Sequence, residues 1–414
     1  MTGRVRLVSG CVRALELLTG VRKPDAGALM DAALRSTGLT HVALDDIAAP
    51  LGQFLRACEE EAQLSALGRW ATKWDVHRLL KNLLRLRAEE ALAPEILEQP
   101  VEAPIFITGT PRSGTTFLHR LMAEDPAGLA PRCWQTIYPY PDVGRRPGEC
   151  DARLRRVEAQ LRYFSILSPE MRNLHPIHGQ SPQECTEITA HVFQSLRFEA
   201  TYEIPSYRQW LEDHGHVQAY QFHKKFLQHL QSQGGCGRWV LKSPDHVFAL
   251  DALQAVYPDA RFVFVHRDPL KVIPSAARLT EVLRTPFTRR VDRVRIGHQV
   301  VNDWARGCAI MVEVDRRQLI PPARVLHLRY SDVVAHPLDA VARIYSHFGL
   351  PLTPGAVKKM SRLAGREPRG GYGRNHYRPE AYGIVPQQIR ERFRDYVLRF
   401  GVPLEVDAAG GSPA

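Results

Sequence analysis

The chain has 414 residues, 44% of them hydrophobic, with 55 lysines and arginines against 44 aspartates and glutamates, giving a net charge of +11. That length and globular composition predict one large α/β domain with a helical accessory part. The charge suits an anionic ligand or an acidic surface, and equally loose nucleic-acid contact, so it selects no function alone. The cysteines, Cys11, Cys58, Cys133, Cys150, Cys185, Cys236 and Cys308, are odd in number and lack a C-x-x-C pair, which indicates neither a disulfide framework nor a thiolate zinc site and fits a reducing cytoplasm. No apolar run approaches the roughly eighteen residues that span a bilayer, so a soluble cytoplasmic protein is expected.

From about Ala26 to Ala93 apolar residues recur at helical steps: Leu29, Ala32 and Ala33, then Ile47, Leu51, Phe54 and Leu55, then Leu79, Leu80, Leu83 and Leu84. Pro94 and Pro100 stop the run. Residues 1–100 therefore read as an N-terminal helical segment, a scaffold or dimer surface with no evident chemistry, ahead of a main domain at 101–414.

Residues 105–118, Ile-Phe-Ile-Thr-Gly-Thr-Pro-Arg-Ser-Gly-Thr-Thr-Phe-Leu, run from an apolar strand through a glycine-bracketed turn into an amphipathic helix. Gly109 and Gly114 allow the backbone to approach a phosphate, and the amides and dipole of the new helix favour its charge. The glycine spacing matches a nucleotide P-loop, yet Thr115 stands where that loop carries its lysine, and the nearest cation is Arg112 within the turn. A loop without that lysine is poorly built for ATP hydrolysis and suits a 5′-phosphate with no γ-phosphate beyond it.

The helix from Thr115 ends near Asp125-Pro126, and a second short strand is expected around Leu129–Trp134. Residues 140–235 read as loops and helices, with periodic Ile188, Val192, Phe193 and Leu196 and again Phe222, Phe226, Leu227 and Leu230, placed where an acceptor-binding cap is inserted. Three further strands, 239–241, 262–265 and 325–328, alternate with helical stretches. Such near-continuous apolar strands imply a parallel sheet covered on both faces, with ligand beyond the carboxyl ends of the strands. Each of the three ends on a polar cluster: Lys242-Ser243-Pro244, His266-Arg267-Asp268, and Arg329-Tyr330-Ser331-Asp332.

These motifs, in this order, resemble the sulfotransferases that use 3′-phosphoadenosine-5′-phosphosulfate (PAPS), and within them the large bacterial group with a helical segment before PRSGTT. The resemblance covers nearly the whole chain: Thr110–Thr116, His-Pro-Ile-His and Pro-Gln-Glu-Cys within 175–185, Trp-Val-Leu-Lys-Ser-Pro at 239–244, the run 257–269, and the tail from Asn375 to Phe400. It implies a P-loop-like three-layer α/β fold around a central parallel sheet of about five strands. It further implies that Arg112, Ser113, Gly114, Thr115 and Thr116 hold the 5′-phosphate, and that Arg267 and Ser275, eight residues apart, grip the 3′-phosphate. Asp268 and Pro269 look like the N-cap and first residue of the intervening helix, which Pro274 should bend. By the same resemblance Lys242 holds the transferring group, Tyr330 contacts the adenine, with Ser331 replacing the usual glutamate, and Arg369 and Gly371 echo a late loop that adds 3′-phosphate contacts.

Sulfuryl transfer resembles phosphoryl transfer in being in-line and loose, so Arg112, Lys242 and the loop amides are expected to stabilise charge on the departing oxygen, with no metal required. The acceptor's proton needs a base. Many relatives carry a Trp-Glu pair after the second strand where this chain has Trp134-Gln135, and glutamine accepts no proton at neutral pH. His178, ranked first because histidine as a residue type needs no tuning to accept a proton near neutral pH, and Glu184 are the candidates, with His175 and Glu187 behind them. The histidine pairs 175/178 and 214/216 lack a third ligand at a recognisable spacing, and the Arg289, Arg290, Arg293, Arg295 group reads as a solvated helix face rather than a nucleic-acid patch, since no aromatics interleave it. The expected activity is PAPS-dependent sulfation of a small hydroxyl- or amine-bearing acceptor such as a lipid or secondary metabolite, by a chain that allows a homo-oligomer. The competing readings are a catalytically weakened PAPS-binding protein, motivated by Gln135, and a P-loop kinase.

Overall fold

The computed structural model describes residues 25–140, 151–366 and 378–405. Its five-stranded sheet is parallel throughout in the order β2-β3-β1-β4-β5, where β1 is Ile105–Gly109, β2 Gly128–Leu129, β3 Arg238–Lys242, β4 Arg261–His266 and β5 Val325–Arg329. The near-continuous apolar runs do what such runs imply, because alternate side chains enter different cores. Phe106, Leu241, Phe262 and Phe264 pack into one large cluster, while Ile105, Ile107, Val240, Val263 and Val265 pack on the other face against Leu118, Leu121, Val341 and Ile344. The expected three-layer α/β fold is therefore the one observed.

The amino-terminal periodicity becomes the helices Ala26–Thr37, Asp45–Glu60 and Ala66–Leu92. Asp25 and Ser65 start the first and third by accepting the amides of Ala28 and Gly68 at 2.8 and 3.0 Å, which satisfies donors no helix can satisfy itself. Their buried Ile47, Leu51, Phe54, Leu79 and Leu83 lie in the same cluster as Phe106 and Leu241 of the sheet. From the long third helix Arg78 and Asn82 donate to the carbonyl of Ile137 at 3.1 and 2.9 Å, and Arg78 pairs with Glu187 at 2.7 Å. These bonds brace the segments that lead into the carboxyl-end cleft.

The second strand differs from expectation. Only Gly128–Leu129 pair with β3, and Cys133–Ile137, expected to begin within the strand, is a helix. Pro131 has no amide to give a ladder, and the Gln135 side chain accepts the Arg132 amide at 2.9 Å, closing a helical turn. Between residues 152 and 232 the chain is mainly helical, with Ala152–Leu167, Pro205–His214 and Val217–Ser232 the longer pieces. The strand registers Gly109 to Val265, Ile107 to Lys242 and His266 to Arg329 bring the four polar strand ends to one edge of the sheet.

Candidate active site

The site begins where β1 stops. Gly109 has φ 122°, and a Cβ there would lie 2.3 Å from the carbonyl oxygen of Val265, so the neighbouring strand leaves room only for glycine. Arg112 and Gly114 also have positive φ, 61° and 84°, and the helix Thr115–Met122 starts immediately afterwards. The buried Ser113 hydroxyl donates to the Thr110 carbonyl at 2.6 Å and closes the turn. Two successive reversals of the backbone before a helix N-terminus turn amides toward one point, which is the geometry of an anion cradle.

Around this turn the structure assembles the cationic groups picked from the sequence. Arg112 donates through Nε to Ser275 Oγ at 3.2 Å and through Nη1 to the Leu174 carbonyl at 2.7 Å. Its own carbonyl accepts Nη1 of Arg267 at 2.6 Å. The Arg267 guanidinium lies 3.8 Å from the centre of the Tyr330 ring, and that ring also covers Gly114, where a Cβ would come within 3.1 Å of it. Arg112, Gly114, Arg267, Ser275 and Tyr330, spread over more than two hundred positions, thus form one contiguous patch. Ser275 reaches it from the helix Pro269–Arg284, which Asp268 caps at the Leu270 amide at 2.9 Å and which runs on through Pro274. Arg369 and Gly371 lie outside the described residues.

The other half of the site centres on Lys242, 2% exposed at the end of β3. Its Nζ donates to Thr116 Oγ1 at 3.0 Å and to the Glu184 carboxylate. Burial alone would raise the Glu184 pKa, but the charge and hydrogen bond of Lys242, with a lesser influence of His175, outweigh it and hold the carboxyl below its usual range. His175 is pushed down to about 4, first by burial and then by Lys242 and Arg112, against the opposing pull of Glu184. Lys242, Glu184 and Arg112 are thus the charges that bear on the half-buried His175. His119, on the loop helix, is likewise depressed to about 3 by burial and by Lys242, with its Nε2 3.0 Å from the Val240 carbonyl.

His178, ranked first from the sequence, stands on an exposed turn where its amide donates to Ser181 Oγ at 3.0 Å. Glu187 is committed elsewhere, in ion pairs with Arg78 and Arg197 at 2.7 and 3.2 Å. Gln135 is occupied in its own helical turn. Sequence reasoning also passed over Glu405, whose carboxylate meets Arg267 through Nε at 2.7 Å and Nη2 at 2.9 Å. A lone acidic residue in a carboxyl-terminal tail carries no motif that could have marked it.

A cradle at one strand end, a caged lysine at the next, and a second guanidinium site at the third make a surface for a ligand with two separated anionic groups and a reactive centre near Lys242. The family model described as "Sulfotransferase family" matches residues 104–354. A similar curated protein is the omega-hydroxy-beta-dihydromenaquinone-9 sulfotransferase Stf3 of Mycobacterium bovis, 26% identical over 262 residues, which are 60% of this chain and 63% of that relative. The chain thus aligns with less than two thirds of that relative's length. Among solved structures, sulfotransferase STF9 from Mycobacterium avium superposes with a TM-score of 0.82 at 26% identity, covering 92% of this chain and 97% of that one. Sulfotransferase STF1 from Mycobacterium tuberculosis superposes with a TM-score of 0.78 at 30% identity, covering 90% and 99%. Among the described residues no helix is long and apolar enough to cross a membrane. Because the family match takes in the loop, both basic strand ends and more than half of the chain, the protein belongs to the sulfotransferase family.

Proposed function

We propose that this sulfotransferase moves the sulfuryl group of PAPS to a hydroxyl group of a lipid-like small molecule. The observation that carries the donor assignment is the 2.6 Å bond from the Arg267 guanidinium to the Arg112 carbonyl, which sets a second anion grip beside the first. The fit has an internal indicator: Arg267 already holds an anion, the Glu405 carboxylate, so this guanidinium is presented for anion binding. In this reading the amides of Ser113, Gly114, Thr115 and Thr116, with Arg112, hold the 5′-phosphate. Arg267 and Ser275 hold the 3′-phosphate, and the Tyr330 ring supports the base.

The reaction forms a sulfur–oxygen bond to the acceptor, breaks the one to the 5′-phosphate, and releases a proton. Lys242, buried at the end of β3, and the half-buried Arg112 face the oxygens that gain charge, where a fixed cation is most effective. His175 takes the acceptor's proton. It is neutral at physiological pH, held so first by burial and then by Lys242 and Arg112, and a bound anion that neutralises those two charges lifts the second part of the depression and makes it a better base when donor is present. Glu184 supports the imidazolium that forms. The lipid-like acceptor rests on the name of the curated relative, a sulfotransferase of a hydroxylated menaquinone.

The test is transfer of radiolabelled sulfate from PAPS to a panel holding a hydroxylated polyprenyl quinone, a sterol, a simple phenol and an aryl amine. Label is expected in the hydroxylated polyprenyl lipid. Label confined to the amine, or to water-soluble phenols, contradicts the acceptor assignment. Absence of any PAPS turnover across the panel, with tight binding of the bisphosphate product, favours the binding-only alternative.

A further inference from the structure

We propose that Glu405 is an internal competitor for the 3′-phosphate, so that the carboxyl-terminal tail sets the affinity and selectivity of the nucleotide site. The proposal rests on the donor assignment above and concerns how that site is tuned. Nε and Nη2 of Arg267 present the side of the guanidinium fork that takes a carboxylate or a phosphate in two parallel bonds, and Glu405 fills it at 2.7 and 2.9 Å. The remaining nitrogen, Nη1, is fixed on the Arg112 carbonyl, and the guanidinium is packed at 3.8 Å from the Tyr330 ring centre. A phosphate that approaches the cradle side of Arg267 therefore meets the fork already taken. Two anions cannot share it without strong repulsion.

The tail is placed there by more than its charge. The Glu405 amide donates to Asp268 Oδ2 at 2.9 Å, while Asp268 Oδ1 caps the helix that carries Ser275. Consecutive residues of the β4 end, Arg267 and Asp268, thus hold the side chain and the backbone of one tail residue. Upstream, Val402 is buried and anchors the approach, whereas Leu404 is 60% exposed. The ion pair itself is at the solvent edge, with side-chain exposures of 20% for Arg267 and 31% for Glu405. A partly hydrated pair of this kind is weak enough to yield to a phosphate, which carries more charge and more acceptor oxygens. It is also always present, tethered beside its target, so it lowers the fraction of chains whose fork is open and weakens apparent binding by that fraction.

The consequence is selective. Only a ligand with a 3′-phosphate must displace Glu405, and one that lacks it binds the cradle without touching the tail. Calorimetry on the full chain with adenosine 3′,5′-bisphosphate and with adenosine 5′-monophosphate tests this against Glu405→Gln, which keeps the shape and removes the charge. The variant is expected to bind the bisphosphate about five- to tenfold more tightly and the monophosphate within about twofold of the parent. Weaker bisphosphate binding by the variant overturns the proposal and makes Glu405 a residue that positions Arg267. Equal binding overturns it as well, showing the tail to be off the site in solution. If the parent and the variant both fail to discriminate bisphosphate from monophosphate, the two-anion donor site itself is refuted, and this proposal falls with it.

Discussion

Replacing Lys242 by methionine separates what this side chain does for the fold from what it does for the reaction. Methionine is of similar length and apolar, so packing at a position only 2% exposed is nearly kept while the ammonium is lost. Glu184 then faces a buried region without its cation. Breaking a buried pair from one side costs about 3–5 kcal/mol, and since the Glu184 side chain retains 27% exposure, about 1.5–3 kcal/mol is the fair expectation here. The converse change, Glu184→Gln, strands the ammonium and should cost a comparable amount. The double variant leaves neither charge unpaired, so urea denaturation should show it losing clearly less than the sum of the single losses. Turnover behaves differently: Lys242→Met and the double variant should both lose about 100- to 1,000-fold in kcat, because Arg112 is left without the ammonium beside it to stabilise charge on the departing oxygen. The pH dependence supplies a sign check. In the parent the Glu184 pKa is lowered, so its contribution is present above the unfolded carboxyl pKa and is lost as pH falls through the folded one. Without Lys242 burial raises that pKa, so the deficit of Lys242→Met should shrink on going from pH 8 to pH 5. Strictly additive losses, or recovery of turnover in the double variant, refute the assignment of Lys242 to the reacting centre.

The choice between the two neighbouring histidines is settled by His175→Gln and His178→Gln. The first should lower turnover by about 100-fold or more with bisphosphate binding nearly intact, and the second should leave both within about twofold; the reverse pattern contradicts the siting of the base. The fold itself should be acid-labile above the range where carboxylates titrate. His119, His191 and His223 are each depressed to about 3 by burial, so the unfolded chain binds more protons between pH 6.5 and the folded pKa and stability falls with pH in that window. Each histidine contributes about 1 kcal/mol of loss between pH 7 and 5.5, roughly 3 kcal/mol for the three, partly offset by His229, whose pKa is raised by Glu89 and Glu90 against its burial. Urea midpoints at the two pH values measure it, and an unchanged or higher midpoint at pH 5.5 contradicts the buried, neutral state of these rings.

The parts of this molecule that are written locally were legible in the sequence. The runs that became β1, β3, β4 and β5 are short, apolar on both faces and tipped with polar residues, and a parallel sheet is the structure that satisfies all of these at once. The eight-residue separation of Arg267 and Ser275 was legible because one helix, with its cap at Asp268 and its proline start, sets it. What failed was decided by tertiary contacts. The end of β2 depends on Pro131 and the Gln135 bond to the Arg132 amide, a turn too short to leave a period. His175 and His178 are three residues apart in a nonperiodic segment, so nothing in their spacing says that one is half-buried and the other exposed on a turn. The Glu405 contact with Arg267 joins residues 138 positions apart and leaves no local trace.

The central claim is that Arg112 with its loop and Arg267 grip opposite ends of one doubly phosphorylated adenosine. Its most direct test is titration calorimetry of the parent and Arg267→Ala with adenosine 3′,5′-bisphosphate, adenosine 5′-monophosphate and ADP, in chelator and in magnesium. Metal-independent binding of the bisphosphate, tighter than either competitor, is predicted for the parent. For the variant the bisphosphate should weaken by about 10- to 150-fold, as loss of a charged hydrogen bond worth roughly 1.5–3 kcal/mol requires, with the monophosphate little changed. Preference for magnesium-bound ADP, or an unchanged bisphosphate Kd in Arg267→Ala, contradicts it.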